Sequence, residues 1–107
     1  MGFKEAFGDD FQLGFDLKNY PQLKDNSYHN DTSPNFWFRT PLQYFTLWID
    51  YSDRSNRENE NMRYSIITAE NFGDEDYPEI SSSNGNIVFE CELPSEIIDY
   101  LDNLTFT

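Results

Sequence analysis

The chain has 107 residues, of which 20 are Asp or Glu and seven are Lys or Arg, for a formal net charge of −13. That length allows one domain, residues 1–107, around one core, and the charge argues against direct binding to a nucleic acid backbone or an anionic membrane, both of which repel it. Ten Phe, seven Tyr and two Trp set it apart from an acidic disordered tail, because each buried ring removes a large area from water.

In chain order, Phe3, Phe7, Phe11 and Phe15 fall four apart, and Gly8 and Gly14 interrupt them. The pattern predicts a short helix, then an irregular or extended piece that pins its rings onto the core. Residues 19–35 are rich in Asn, Asp, Ser and Pro and read as a loop holding the only histidine, His29. Residues 36–51 are strand-like, with Pro41 dividing Phe36, Trp37 and Phe38 from a longer second piece. In that piece Phe45, Leu47, Ile49 and Tyr51 share a core face, and Tyr44, Thr46, Trp48 and Asp50 share the other. Tyr44 and Trp48 either lie under a helix or form an open aromatic platform, and the rarity of large exposed apolar patches favours cover.

Residues 52–61 contain no apolar side chain and are expected to cross open solvent, with their arginines as local counter-charges. Residues 62–72 form the next strand, antiparallel to the one before, with Tyr64 and Ile66 inward and Arg63 and Ser65 outward. A long polar connection carries Asp74, Glu75 and Asp76 and ends in Asn84 and Gly85, a pair suited to positive φ in a hairpin turn. The last strand, residues 87–93, points Ile87, Phe89, Cys91 and Leu93 inward and Val88, Glu90 and Glu92 outward. Pro94 suits a first helical turn, and Ile97, Ile98, Leu101 and Leu104 follow at helical spacing, which predicts a helix over residues 94–103 with Glu96, Asp99 and Asp102 outside. The fold class is therefore α+β: a small antiparallel sheet of three to five strands with a C-terminal amphipathic helix packed on it.

No catalytic constellation is present. Nucleophilic catalysis needs a base held beside a Ser, Cys or Thr, and His29 lies alone in its loop. Cys91, the single cysteine, reads as a small core residue; it permits no internal disulfide and no cysteine-based zinc site. The run from Asp74 fails as a calcium loop because Glu79 stands where the turn requires Gly. No cofactor or metal is implied. Without a leader or a membrane-length apolar run, the expectation is a cytoplasmic protein with no membrane partner.

The outstanding feature is charge placement. From Tyr64 onward the chain holds ten carboxylates, Glu70, Asp74, Glu75, Asp76, Glu79, Glu90, Glu92, Glu96, Asp99 and Asp102, and no Lys or Arg. On a strand Glu90 and Glu92 stand about 6.8 Å apart, and each three-residue step along the helix advances about 4.5 Å, spacings comparable to phosphates along a strand. These ten residues are the candidate partner-binding set, with Trp37, Tyr44, Trp48 and Tyr77 as candidate aromatic anchors.

In this acidic strand and helix, residues 87–104, and in its whole-chain charge, the protein resembles in type the small acidic immunity proteins that neutralise bacterial nuclease toxins, including those of contact-dependent inhibition systems. It also resembles phage anti-CRISPR and other DNA-mimic proteins. The resemblance implies a non-enzymatic inhibitor, monomer or homodimer, that blocks the basic cleft of a nucleic-acid-acting protein. A toxin immunity protein is the first expectation, and an anti-CRISPR inhibitor of a defence complex the alternative. A third reading is an aromatic-rich module in which Trp37, Tyr44 and Trp48 stack on a carbohydrate or another flat ligand.

Overall fold

Period-two alternation over residues 35–71 builds the centre of the computed structural model, which describes residues 2–106; Met1 and Thr107 lie outside the described residues. The elements are α1 (Phe3–Phe7), β1 (Lys24–Asp25), β2 (Asn35–Thr40), β3 (Gln43–Ile49), β4 (Tyr64–Asn71), β5 (Ile80–Ser81), β6 (Ile87–Cys91) and α2 (Pro94–Asp102). All strand pairs are antiparallel, in the order β1-β2-β3-β4, and β5 and β6 both pair with β4. The six-stranded sheet thus exceeds the expected three to five strands, because β1 and β5 are two-residue pieces inside segments that read as loops.

Registers Phe36↔Leu47, Phe38↔Phe45 and Leu47↔Ile66 align the apolar residues of three strands on one face. Phe36, Phe38, Leu47, Ile49, Tyr64 and Ile66 are all buried there, joined by Cys91 of β6 and by Ile97 and Leu101 of α2. Each such side chain contributes about 1.5–3 kcal/mol by leaving water. Rings lock the layers together: Phe89 stacks on Tyr100 at 4.1 Å, and Phe106 meets Phe38 edge-on at 5.5 Å.

The N-terminal segment closes the same face, as its phenylalanine spacing predicts. Helix α1 stops at Gly8, φ 100°. Gly14 has φ 90°, and a Cβ there would collide with the Tyr64 hydroxyl, which donates to the Leu13 carbonyl at 2.7 Å. At the other end of the chain, Pro94 opens α2 where no N–H is needed. Glu96 Oε1 accepts from the Leu93 N–H at 3.2 Å, one half of a capping box, since Leu93 has no side-chain acceptor to complete it.

Several expectations need correction. Ile67 pairs with Ile87 while Ile66 pairs with Phe89, so Val88 is an extra residue in a bulge. The bulge shifts the phase and leaves Ile87 57% exposed; Leu93, which caps α2, is 56% exposed. Arg63 and Ser65 are buried rather than exposed: Arg63 Nη2 donates to the Gln12 carbonyl at 2.8 Å, and Ser65, on the face away from the core as expected, lies between Trp48 and Glu90. Asn84 and Gly85 do not take positive φ. The turn closes with Gly85 N–H donating to Ser82 O at 2.9 Å, and glycine is needed because a Cβ would strike the Thr68 carbonyl. Finally, among the described residues no helix covers Tyr44 and Trp48, because the apolar stripe of α2 is already spent on the core face.

Candidate functional site

Beyond β4 the chain forms a turn braced by its own side chains. Phe72 N–H donates to Glu79 O at 2.9 Å, and Asp74 N–H donates to Tyr77 O at 3.3 Å. Asn71 Oδ1 accepts from the N–H groups of Gly73 and Glu79 at 2.9 and 3.0 Å, and its Nδ2 donates to Asp74 O. Asp74 Oδ1 in turn accepts from the N–H groups of Asp76 and Tyr77 at 3.0 and 2.7 Å. Asn and Asp suit this work because their short side chains reach nearby backbone donors. The result is a tip, residues 72–79, exposed throughout. Phe72 is 60% and Tyr77 80% exposed there, among Glu75, Asp76 and Glu79.

The ten C-terminal carboxylates divide by task. Glu92 accepts from Arg57 Nη2 and Nη1 at 2.7 and 3.0 Å, Arg54 Nη2 at 3.2 Å and the Arg63 N–H at 3.2 Å. The hydrogen bonds from Arg57, foremost, hold its carboxyl below the usual range. This corrects the expectation that the arginines of residues 52–61 are local counter-charges: the connection folds back, and Arg54 and Arg57 answer Glu92 across more than 30 positions. Asp102 accepts from the Tyr20 hydroxyl at 2.8 Å, Glu96 caps α2, and Asp74 braces the tip. Among the described residues, the carboxylates of Glu70, Glu75, Asp76, Glu79, Glu90 and Asp99 make no hydrogen bond or ion pair, and all six are exposed. The even row of charges along β6 and α2 therefore shrinks to Glu90 and Asp99.

Of the four aromatic candidates, Tyr77 stands at the tip and the other three lie together on the sheet face away from the core. Trp37 and Tyr44 are 5.9 Å apart, and the Arg39 guanidinium sits 4.9 Å above the Tyr44 ring. Trp48 Nε1 donates to Thr46 Oγ1 at 3.1 Å and to Ser82 Oγ at 3.4 Å. Beside Trp48 a cavity of about 530 Å³ opens between residues 26–31 and 80–83. Phe72 escaped sequence reasoning because a terminal strand aromatic reads as core; its position beside Asn71 and Gly73, both turn residues, was the available signal.

Cys91 is buried, and burial pushes its thiol up to about 11, which suits a packing role. Among the described residues no group of three or more His, Cys, Asp or Glu is arranged to hold a metal ion, and no helix is long and apolar enough to cross a membrane. No protein-family model matches the sequence, and no curated protein or solved structure matches the chain.

Proposed function

We propose that the protein is a non-enzymatic, acidic binding protein that occludes a cationic surface of a nucleic-acid-acting protein, in the manner of an immunity protein against a nuclease toxin. The observation that carries this reading is the braced tip. Two exposed rings, Phe72 and Tyr77, stand among the carboxylates of Glu75, Asp76 and Glu79, which make no bond among the described residues, on a backbone held by seven hydrogen bonds to Asn71 and Asp74 side chains and across the turn. Rigid aromatic side chains ringed by charge make effective anchors, since little conformational freedom is lost on docking. The net charge of −13 accelerates encounter with a basic partner and discourages self-association.

The test is capture from a lysate of the source cells at low ionic strength, with Tyr77→Ala and the pair Glu75→Lys, Asp76→Lys as controls. Under this reading the captured protein is basic and its nuclease activity falls away at equimolar addition. Tyr77→Ala weakens the complex by about 10- to 30-fold. Retention of an unchanged partner by both variants removes the tip from the interface and the reading with it.

A further inference from the structure

The cavity beside Trp48 lies outside the acidic tip. Its floor is the second face of the sheet, from Thr46 and Trp48 on β3 and Ile67 on β4, and its walls are Asn26, Tyr28, Asp31 and Asn35 on one side and Ile80 with Ser81, Ser82 and Ser83 on the other. No Lys or Arg lines it; Lys24 and Arg39 line a separate, smaller cavity beside Trp37.

The walls are held in place before any ligand arrives. Asp31 Oδ2 accepts from the Tyr28 N–H and from Asn35 Nδ2, both at 2.9 Å. Asn35 is itself pinned, its backbone N–H donating to Ser27 Oγ at 3.0 Å and its carbonyl accepting from the same hydroxyl at 3.1 Å. Asn26 Nδ2 donates to Ile80 O at 3.2 Å, which ties the two walls together. These bonds use one amide N–H each of Asn26 and Asn35 and one oxygen of Asp31. Among the described residues Asp31 Oδ1 and the side-chain oxygens of Asn26 and Asn35 accept no hydrogen bond. The unused capacity thus includes three acceptors, one of them the oxygen of a carboxylate, beside an indole in a chain of net charge −13.

We infer that this groove receives an arginine side chain from the partner protein, its guanidinium stacked on Trp48 and donating to Asp31 Oδ1 and the neighbouring acceptors. A planar cation with five donors matches a flat ring beside several acceptors. The field that draws a cation inward is indifferent to a neutral sugar. At about 530 Å³ the space also holds the residues flanking one arginine. The inference rests on the reading of the protein as a binder of a cationic partner, and it names where that partner is gripped apart from the tip.

The experiment uses the whole protein, with the Trp48 indole N–H resonance as reporter and three probes: acetyl-Gly-Arg-Gly-amide, the same peptide with citrulline, and maltose. The arginine peptide should shift the Trp48 signal, and the uncharged, near-isosteric citrulline peptide should bind at least about tenfold more weakly. Asp31→Asn should abolish that preference. Because Asp31 also braces its loop, Ser83→Lys serves as the second variant: Ser83 is exposed, and a lysine at the rim should weaken arginine binding while leaving the fold intact. Equal shifts from arginine and citrulline, a response to maltose alone, or arginine binding unchanged in Ser83→Lys would each overturn the inference. None of these outcomes touches the tip, whose role is judged by Tyr77→Ala in capture, so the two readings fail separately.

Discussion

Replacing Glu92 with Gln tests how the connection between β3 and β4 is fastened to the end of β6. Arg57 donates two bonds to Glu92 and others to the carbonyls of Tyr51 and Asn61 at 2.8 and 2.9 Å, so one guanidinium gathers the connection around one carboxylate. The Arg57 side chain is 1% exposed and Glu92 29%. The pair therefore lies between surface pairs, worth less than about 1 kcal/mol, and fully buried ones, whose breakage costs about 3–5 kcal/mol. We expect Glu92→Gln to cost about 2 kcal/mol, a fall in Tm of about 8–16 °C for a domain of this size. Arg54→Ala, whose side chain is 70% exposed, should cost less than about 0.5 kcal/mol.

The pH dependence carries a sign. The Glu92 carboxyl titrates below its ordinary 4.5 when folded, so its contribution is complete above that value and is lost as pH falls through the folded one. Urea denaturation at pH 7 and again at about pH 3 should show the gap between wild type and Glu92→Gln shrinking on acidification. A cost for Glu92→Gln no larger than that of Arg54→Ala, or equal at both pH values, would refute the account of this junction.

Three further outcomes follow from the core. Tyr64→Phe removes the donor from the Leu13 carbonyl and should cost about 1–3 kcal/mol by chemical denaturation. The Tyr64 and Tyr20 phenols, both pushed up to about 12 with burial the leading cause, hold their protons in the folded state. Their share of stability is complete below pH 10 and declines towards 12, a decline that Tyr64→Phe should flatten. Gly14→Ala forces a side chain into positive φ and against the Tyr64 hydroxyl, and should cost more than about 2 kcal/mol or prevent folding, measured by thermal unfolding. The Cys91 thiol should react with a disulfide reagent only as fast as the protein opens, so its rate should rise in parallel with destabilisation by Glu92→Gln.

Much of the fold was legible because periodicity reports burial. β2, β3, β4 and α2 declare themselves through Phe36 and Phe38, Leu47 and Ile49, Tyr64 and Ile66, and Ile97 and Leu101, all buried as the spacing predicts. β1 and β5 were not legible, since a two-residue strand has no period to display. Ile87 misled because a bulge inserts Val88, and one extra residue puts Ile87 out of phase with Phe89 and Cys91, which keep their inward places. Glu92 misled for another reason. Its counter-charges come from Arg54 and Arg57, so counting charges within the C-terminal stretch alone could not find them. The open face around Trp48 could have been foreseen by noting that a single amphipathic helix covers a single face. The tip's composition was visible as Asp74, Glu75, Asp76 and Tyr77, whereas its rigidity depends on Asn71 reaching across to Glu79, which spacing does not reveal.

The most direct measurement is the association rate between the protein and its captured partner as ionic strength rises. If the exposed carboxylates steer encounter, the rate should fall by at least about tenfold between low and physiological salt. The double variant Glu75→Lys, Asp76→Lys should start slower and show a shallower slope. A rate indifferent to salt, or identical slopes for the two proteins, would contradict the account at its centre.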